Sequence, residues 1–229
     1  MINSEVFRKI SIFSSLPDAT ISDIAELMKR KSYKKGDTLC SHDEVGDTLY
    51  VIESGQVKVS LYNESGKEII LSLLKAGDFF GEMSLLDSQP RSANVIATKP
   101  AELLLLKQKD FLDYLSRFPK LALLILKEIS KRLRVADEKI GNLALLDVYG
   151  RIARYLISLA KSEGVEKEDG FVIENLPTHA DIAGLVGTSR ETVTRTLAHL
   201  QKSGVVQMKG KILFIDRSSL NEENERTHF

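Results

Sequence analysis

The spacing of apolar positions changes period twice along this chain, and the two changes divide it. Near the start Ile21, Ile24, Ala25 and Met28 recur at helical spacing, predicting a short amphipathic helix. From Tyr33 to about Leu106 the pattern shortens to strand-like runs at 48–52, 57–62, 68–74 and 93–97. Turn pairs separate them at Gly36 and Asp37, Ser54 and Gly55, Ser65 and Gly66, and Gly77 and Asp78. Short strands broken by glycine turns predict an antiparallel β-roll or barrel.

From Pro119 the period returns to helix. Ala122, Leu126, Ile129, Leu133, Ala136, Ile140 and Leu143 alternate steps of four and three, which is the a/d seam of a coiled coil. A narrow seam flanked by Lys127, Arg132, Arg134 and Asp137 calls for a second helix, and a second copy of the chain is its simplest source. Asp147 predicts the N-cap of a further helix over 148–161, with Ile152, Tyr155, Leu156 and Leu159 as its apolar face. The polar, glycine-bounded stretch 161–170 reads as a surface loop leading into a short strand at 171–173.

Two capped helices follow. Thr178 with Asp181 caps the first, whose apolar residues are Ile182, Ala183, Leu185 and Val186; Gly187 supplies a tight corner, and Ser189 caps the second, with Val193, Leu197 and Leu200 on one side. Residues 205–215 then read as a two-stranded wing turning at Lys209, Gly210 and Lys211. The whole is predicted to be α+β in three parts: residues 1–118 as the β-roll, 119–146 as the central dimerisation helix and 147–229 as a winged helix-turn-helix.

Composition narrows the function. Of 229 residues, 43% are hydrophobic and 28% charged, enough for two modest cores, and the formal net charge is zero, which argues against indiscriminate coating of nucleic acid. The distribution is uneven: between residues 187 and 211 five cations face a single acid, Glu191. A lone Cys40 cannot close an intramolecular disulfide, the N-terminal residues lack the pattern of a signal peptide, and the aliphatic run 103–106 falls far short of the roughly 20 residues that span a bilayer. A cytoplasmic protein with no membrane role is expected. One cysteine also excludes an iron–sulfur cluster, Cys40 and His42 read as loop residues rather than haem ligands, and the His and Asp clusters of a hydrolytic metal enzyme are missing. Neither an enzyme nor a metal protein is expected.

Candidate chemistry sits in two places. Within 80–93, Gly81 lacks a Cβ and lets a phosphate approach the amides that follow it, Arg91 offers a planar fork to phosphate oxygens, and Glu82 can accept from a sugar hydroxyl. At the other end, the exposed start of the second capped helix carries Arg190, Glu191 and Arg195. Such residues meet base edges in the major groove, arginine pairing with guanine and glutamate with cytosine. The alternative is an ordinary Glu191–Arg195 ion pair on a solvated face. Thr178 and His179 are secondary candidates for phosphate, with Ser189, Thr192 and Lys211 beside them.

Residues 80–93 resemble the phosphate cassette of cyclic-nucleotide-binding domains. Residues 49–214, above all Glu138 to Leu143 and Gly187 to Val193, resemble the CRP/FNR transcription regulators almost continuously. The resemblance implies a roll that binds a cyclic nucleotide, a dimerising helix, and a winged helix-turn-helix reading double-stranded DNA, with RNA polymerase as a protein partner. It implies that Gly81, Glu82, Met83, Arg91 and Ser92 hold ribose and cyclic phosphate, and that Val59, Leu71 and Leu74 wall the pocket. It also implies that Arg190, Glu191 and Arg195 read an inverted TGTGA-like half-site. Cyclic AMP is the effector it implies first. Ala136 and Asp137, however, stand where cyclic-AMP-binding members carry threonine and serine hydroxyls. Alanine cannot hydrogen-bond and a carboxylate only accepts, whereas guanine presents two adjacent donors, so cyclic GMP and cyclic di-GMP are rivals. Alternatively Asp137 merely pairs with Arg134.

Overall fold

A computed structural model describes residues 16–218 together with Phe7, Ile10, Ile12 and Phe13. The chain forms two compact units, Met1–Arg134 and Val135–Phe229, and the division falls inside the long helix rather than at either end of it.

The first unit begins with α1 (Asp18–Leu27), whose Ile21 and Ile24 are buried, and continues as β1 (Lys29–Tyr33), β2 (Thr38–Cys40), β3 (Thr48–Tyr62), β4 (Glu68–Lys75) and β5 (Phe79–Phe80). The short α2 (Glu82–Asp87), β6 (Asn94–Lys107) and α3 (Gln108–Arg117) complete it, before α4 (Pro119–Leu145). The six strands pair antiparallel in the order β1-β6-β3-β4, with β2 on β6 and β5 on β3. One cluster inside the roll gathers Tyr33, Cys40, Ile52, Val57, Leu74 and Phe80. A second packs Phe79, Leu85 and Phe111 with Leu121 and Ile125 from the start of α4.

The second unit follows as α5 (Val148–Glu163), β7 (Val165–Lys167), β8 (Gly170–Ile173), α6 (His179–Val186), α7 (Arg190–Lys202), β9 (Val206–Lys209) and β10 (Ile212–Asp216). Its four strands pair in the order β7-β8-β10-β9. Ile152, Leu156, Ile182, Val193, Leu197 and Leu213 lie in a single core. A winged helix-turn-helix is present as expected. Asp147 accepts from the Gly150 amide at 2.7 Å and so caps α5.

Two expectations are corrected. Ser54 and Gly55 do not end a strand: β3 runs through them for 15 residues, with register shifts on either side of Ser54. Gly55 sits at φ 91°, where a Cβ would lie 2.2 Å from the Pro100 carbonyl oxygen, so the glycine makes a bulge instead of a turn. Residues 161–170 are not one loop, because α5 extends to Glu163 and β7 pairs with β8. All three residues of β7 are exposed, so ladder hydrogen bonds hold it and no apolar alternation marks it. Strand β1, four of whose five residues are exposed, is a charged edge hidden from the apolar pattern in the same way.

Candidate functional site

Arg91 reaches its position because the chain before β6 is pinned at both faces of the residue. Its amide donates to the Glu44 carbonyl at 2.8 Å, and its own carbonyl accepts from the Asp43 amide at 3.0 Å. The residue is then 94% buried: Nη1 donates to the Gly81 carbonyl at 2.8 Å and Nη2 to the Thr48 carbonyl at 2.7 Å. Two glycines make the room. Gly81, at φ 86°, would place a Cβ 2.6 Å from Nη1, and a Cβ on Gly46 would fall 2.1 Å from Nε. No carboxylate among the described residues lies within ion-pair reach of Arg91. Burying a cation that forms no ion-pair contact is costly, even with two carbonyls, the Tyr50 ring at 5.7 Å and the charge of nearby Glu82 beside it, and an anion brought to it regains part of that cost.

Glu82 opens α2 and is 3% exposed. Its Oε1 accepts from Arg132 Nη1 at 3.0 Å, while Oε2 is buried without a partner among the described residues. Burial lifts the Glu82 carboxyl above the usual carboxylate range, and the Arg132 charge, the main-chain amide of Glu82 itself and the Arg91 charge oppose the rise. Arg132 comes from α4 and is itself fixed, donating from Nη2 to the Phe79 carbonyl at 2.7 Å and from Nε to Glu128 at 3.2 Å, with its guanidinium 4.7 Å from the Phe79 ring centroid. A buried guanidinium with no ion-pair contact, near a buried carboxylate oxygen lacking a donor, fits a ribose phosphate.

The other predicted pocket residues divide. Leu74 is buried and Val59 partly buried in the cluster inside the roll, on paired strands β4 and β3. Leu71 is not brought into that cluster: it is the extra residue at a β3/β4 register shift and is 40% exposed. Ser92 is exposed, and its hydroxyl approaches Met83 Sδ at 3.9 Å. Ala136 and Asp137 are exposed on α4, and Asp137 forms no pair with Arg134 among the described residues. Gly46 and Arg132 were not among the candidates. Nothing in the sequence marks Gly46; the Glu128 to Arg132 spacing on one helix face was the available signal for the second.

At the other end the helix pair is held by its own hydroxyls. Thr178 Oγ1 accepts from the Asp181 amide and Ser189 Oγ from the Thr192 amide, both at 3.2 Å, and Gly187 turns the corner at φ 70°. His179 Nδ1 lies 2.8 Å from Thr194 Oγ1, joining α6 to α7. Arg190, Glu191 and Arg195 are exposed on the first two turns of α7, and the Glu191–Arg195 ion pair is not formed among the described residues. Arg195 instead donates to Thr192 Oγ1 at 3.3 Å. The Glu191 carboxyl is held below its usual range by its own main-chain amide first, then by the Ser189 hydroxyl and the two arginines. Lys211 is exposed beside Gly210, the wing-tip glycine at φ 63°.

The sequence matches the cyclic nucleotide-binding domain over residues 30–118 and the Crp-like helix-turn-helix domain over 150–223. That pair of domains, in that order, defines a class of transcription regulators and not of enzymes. The cAMP-activated global transcriptional regulator CRP of Salmonella typhimurium is 39% identical over 185 residues, covering 80% of this chain and 87% of that protein. On this likeness the chain belongs to the CRP/FNR family. A CRP-like cAMP-activated regulator of Mycobacterium tuberculosis is 28% identical over 214 residues, 93% of this chain and 96% of its own. Among solved structures, the c-di-GMP responsive global regulator CLP of Xanthomonas campestris superposes with a TM-score of 0.75 at 28% identity, over 87% of this chain and 99% of that one. The expected non-enzymatic regulator is borne out. Among the described residues no helix is long and apolar enough to cross a membrane, and no three His, Cys, Asp or Glu side chains are grouped to hold a metal.

Proposed function

We propose that this regulator is a homodimer gated by a cyclic nucleotide and reading a palindromic, TGTGA-like operator. The observation that carries the ligand is the nearness of the buried Arg91 guanidinium, which forms no ion-pair contact, to the buried Glu82 Oε2, which has no partner among the described residues. Arg91 takes the cyclic phosphate, helped by Ser92 and by the main chain from Gly81 to Met83, and Glu82 accepts from the ribose hydroxyl. Val59 and Leu74 supply apolar wall, with Leu71 closing over the ligand from its bulge. The effector is cyclic AMP on the reading that the relatives named as cAMP-activated support. Asp137 favours a second reading, cyclic GMP or cyclic di-GMP, and the relative described as c-di-GMP responsive stands with it.

Dimerisation runs through α4. Leu126, Leu133, Ile140 and Leu143 are between 43% and 64% exposed in the single chain, and all four are seam positions. An apolar stripe of that kind is stabilised by a second copy. Arg190, Glu191 and Arg195 then meet base edges, while Thr178, His179, Ser189, Thr192 and Lys211 serve the phosphates. Residues 1–118 bind the effector, 119–146 pair the subunits and 147–229 read DNA. RNA polymerase is the protein partner and the cytoplasm the site of action. Nucleotide occupancy biases the dimer toward the state in which the two recognition helices match successive major grooves.

Isothermal titration with cyclic AMP, cyclic GMP and cyclic di-GMP, repeated on Asp137→Ser, tests the effector. Binding of cyclic AMP with tighter operator affinity supports the first reading. Binding of a guanine nucleotide that is lost in the variant supports the second. Heat from none of the three, with operator binding intact, would leave a ligand-independent regulator and sink both.

A further inference from the structure

Arg132 stands at the edge between two stripes of α4. Leu121 and Ile125 are buried against the first unit, and Arg132 continues their side of the helix to Glu82 and Phe79. The next residue, Leu133, belongs to the exposed seam. The alternation of steps along the seam fixes its register: Leu126, Leu133 and Ile140 take the a positions, and Ile129, Ala136 and Leu143 the d positions. Arg132 is therefore a g residue and Asp137 the e residue of the following heptad. In two parallel helices, g of one chain faces the next e of the other, and charges at these positions set partner choice. Parallel pairing is also what places both DNA-reading units at the same end of the dimer.

We infer that, in the dimer, Arg132 of each chain pairs with Asp137 of the partner subunit, so that the guanidinium holding Glu82 in one pocket is also the anchor of the opposite helix. The inference rests on dimerisation through α4 as proposed above. Charge complementarity carries it. The g positions along the seam are Ile125, Arg132 and Lys139, the e positions Leu123, Ser130, Asp137 and Ala144, and Asp137 is the only acid in either set. In the single chain Asp137 is exposed and makes no ion pair among the described residues. Arg132 uses three of the five N–H donors a guanidinium carries, on Glu82, Phe79 and Glu128, and its side chain is 30% exposed. It keeps both the donors and the access for one more carboxylate. Asp137 is then a positioning residue, and it accepts from the two donors of a guanine only when its pair with Arg132 opens.

A charge-swap mixture tests this. In Arg132→Glu homodimers two acids face each other across each g/e contact, and in Asp137→Lys homodimers two cations do. Mixing the two variants makes both contacts attractive again. Native mass spectrometry of the mixture should show heterodimer above its statistical share. Sedimentation should show Asp137→Lys homodimers dissociating roughly 3- to 30-fold more readily than native at low salt, from two exposed pairs per dimer, with the difference shrinking as salt is added. If Arg132→Glu fails to fold beside Glu82 and Glu128, the salt-dependent weakening of Asp137→Lys, set against Asp137→Ser, still decides. A native protein that sediments as a monomer would overturn the dimer reading itself. A native dimer that Asp137→Lys leaves as tight as before, with a statistical mixture, would overturn the cross-subunit pair alone.

Discussion

Replacing Arg91 with Gln removes the charge from the clamp while leaving a polar side chain near it. In the native protein the fork is oriented by carbonyls at 2.7 and 2.8 Å and forms no ion-pair contact, so it can still bind a phosphate directly. A charge-assisted hydrogen bond contributes about 1.5–3 kcal/mol. Losing the equivalent of one such bond raises the nucleotide Kd roughly 10- to 150-fold, at about 1.4 kcal/mol per decade. The ligand-free protein suffers less. Gly81 and Thr48 lose their donors, but a buried cation that forms no ion-pair contact is removed with them. The variant should therefore melt cooperatively near the native temperature and lose most of the nucleotide-induced rise. Arg91→Lys, which keeps the charge without the fork, should fall between the two. Isothermal titration at fixed pH and salt gives the Kd, and thermal melting with and without nucleotide gives the comparison. A cooperative Gln variant binding within twofold of native would refute the phosphate role.

Three further outcomes follow from other parts of the molecule. Because burial raises the Glu82 carboxyl, the folded chain holds that proton more tightly than the unfolded one. The native protein should therefore gain stability relative to Glu82→Gln as pH falls from above the raised value toward the ordinary carboxylate range, and lose it as pH climbs back through the folded value; urea midpoints across mildly acidic pH measure this, and a flat difference would contradict it. Gly187→Ala forces an L side chain into φ 70° with its Cβ 3.0 Å from Leu143 Cδ2, and should cost about 1–2 kcal/mol in denaturant unfolding, with Gly187→Asn losing less. Arg190→Ala should cost about 1–3 kcal/mol on the matched operator and relax preference at one base pair, whereas Lys211→Ala should weaken all duplexes alike and reduce the salt slope by about one; titration of matched and scrambled duplexes separates them.

Local chemistry was legible in the sequence, and contacts between distant residues were not. Asp147, Thr178 and Ser189 cap the helices they were expected to cap because each accepts from an amide three residues on, inside the window a sequence reading sees. The corner at Gly187 and the wing turn at Gly210 are local for the same reason. Gly55 shows where this stops. As a glycine after serine it looks like a turn, and only the Pro100 and Ala101 backbone opposite reveals a bulge in a continuous strand. Gly46 is required by a guanidinium 45 residues later in the chain, and no spacing rule connects them. Arg132 was visible as a charge flanking the seam, but its hold on Glu82 depends on how α4 lies against the roll within the first unit.

That hold gives the proposed ligand a direct route to α4. On the proposed binding mode the two oxygens of Glu82 have different tasks: Oε1 is bonded to a residue of α4, and Oε2, which has no partner among the described residues, would accept from the ligand. They share one delocalised charge. A hydroxyl donating to Oε2 draws density from Oε1 and loosens the Arg132 bond, while a ligand with no hydroxyl there leaves that bond at full strength. Ribose phosphate is common to all three candidate nucleotides, so this step transmits occupancy without naming the base. Selection among purines has to come from residues outside the clamp, and Ala136 and Asp137 on the same helix are the candidates. If the nucleotide changes the Arg132 bond by the 1–3 kcal/mol typical of coupled sites, operator affinity changes roughly 5- to 150-fold, and by reciprocity operator DNA tightens nucleotide binding by the same factor. A 2′-deoxy cyclic nucleotide separates the steps: it keeps the phosphate for Arg91 and should bind, but should fail to raise operator affinity. Equal activation by the deoxy and ribo forms would show that Glu82 carries no part of the signal.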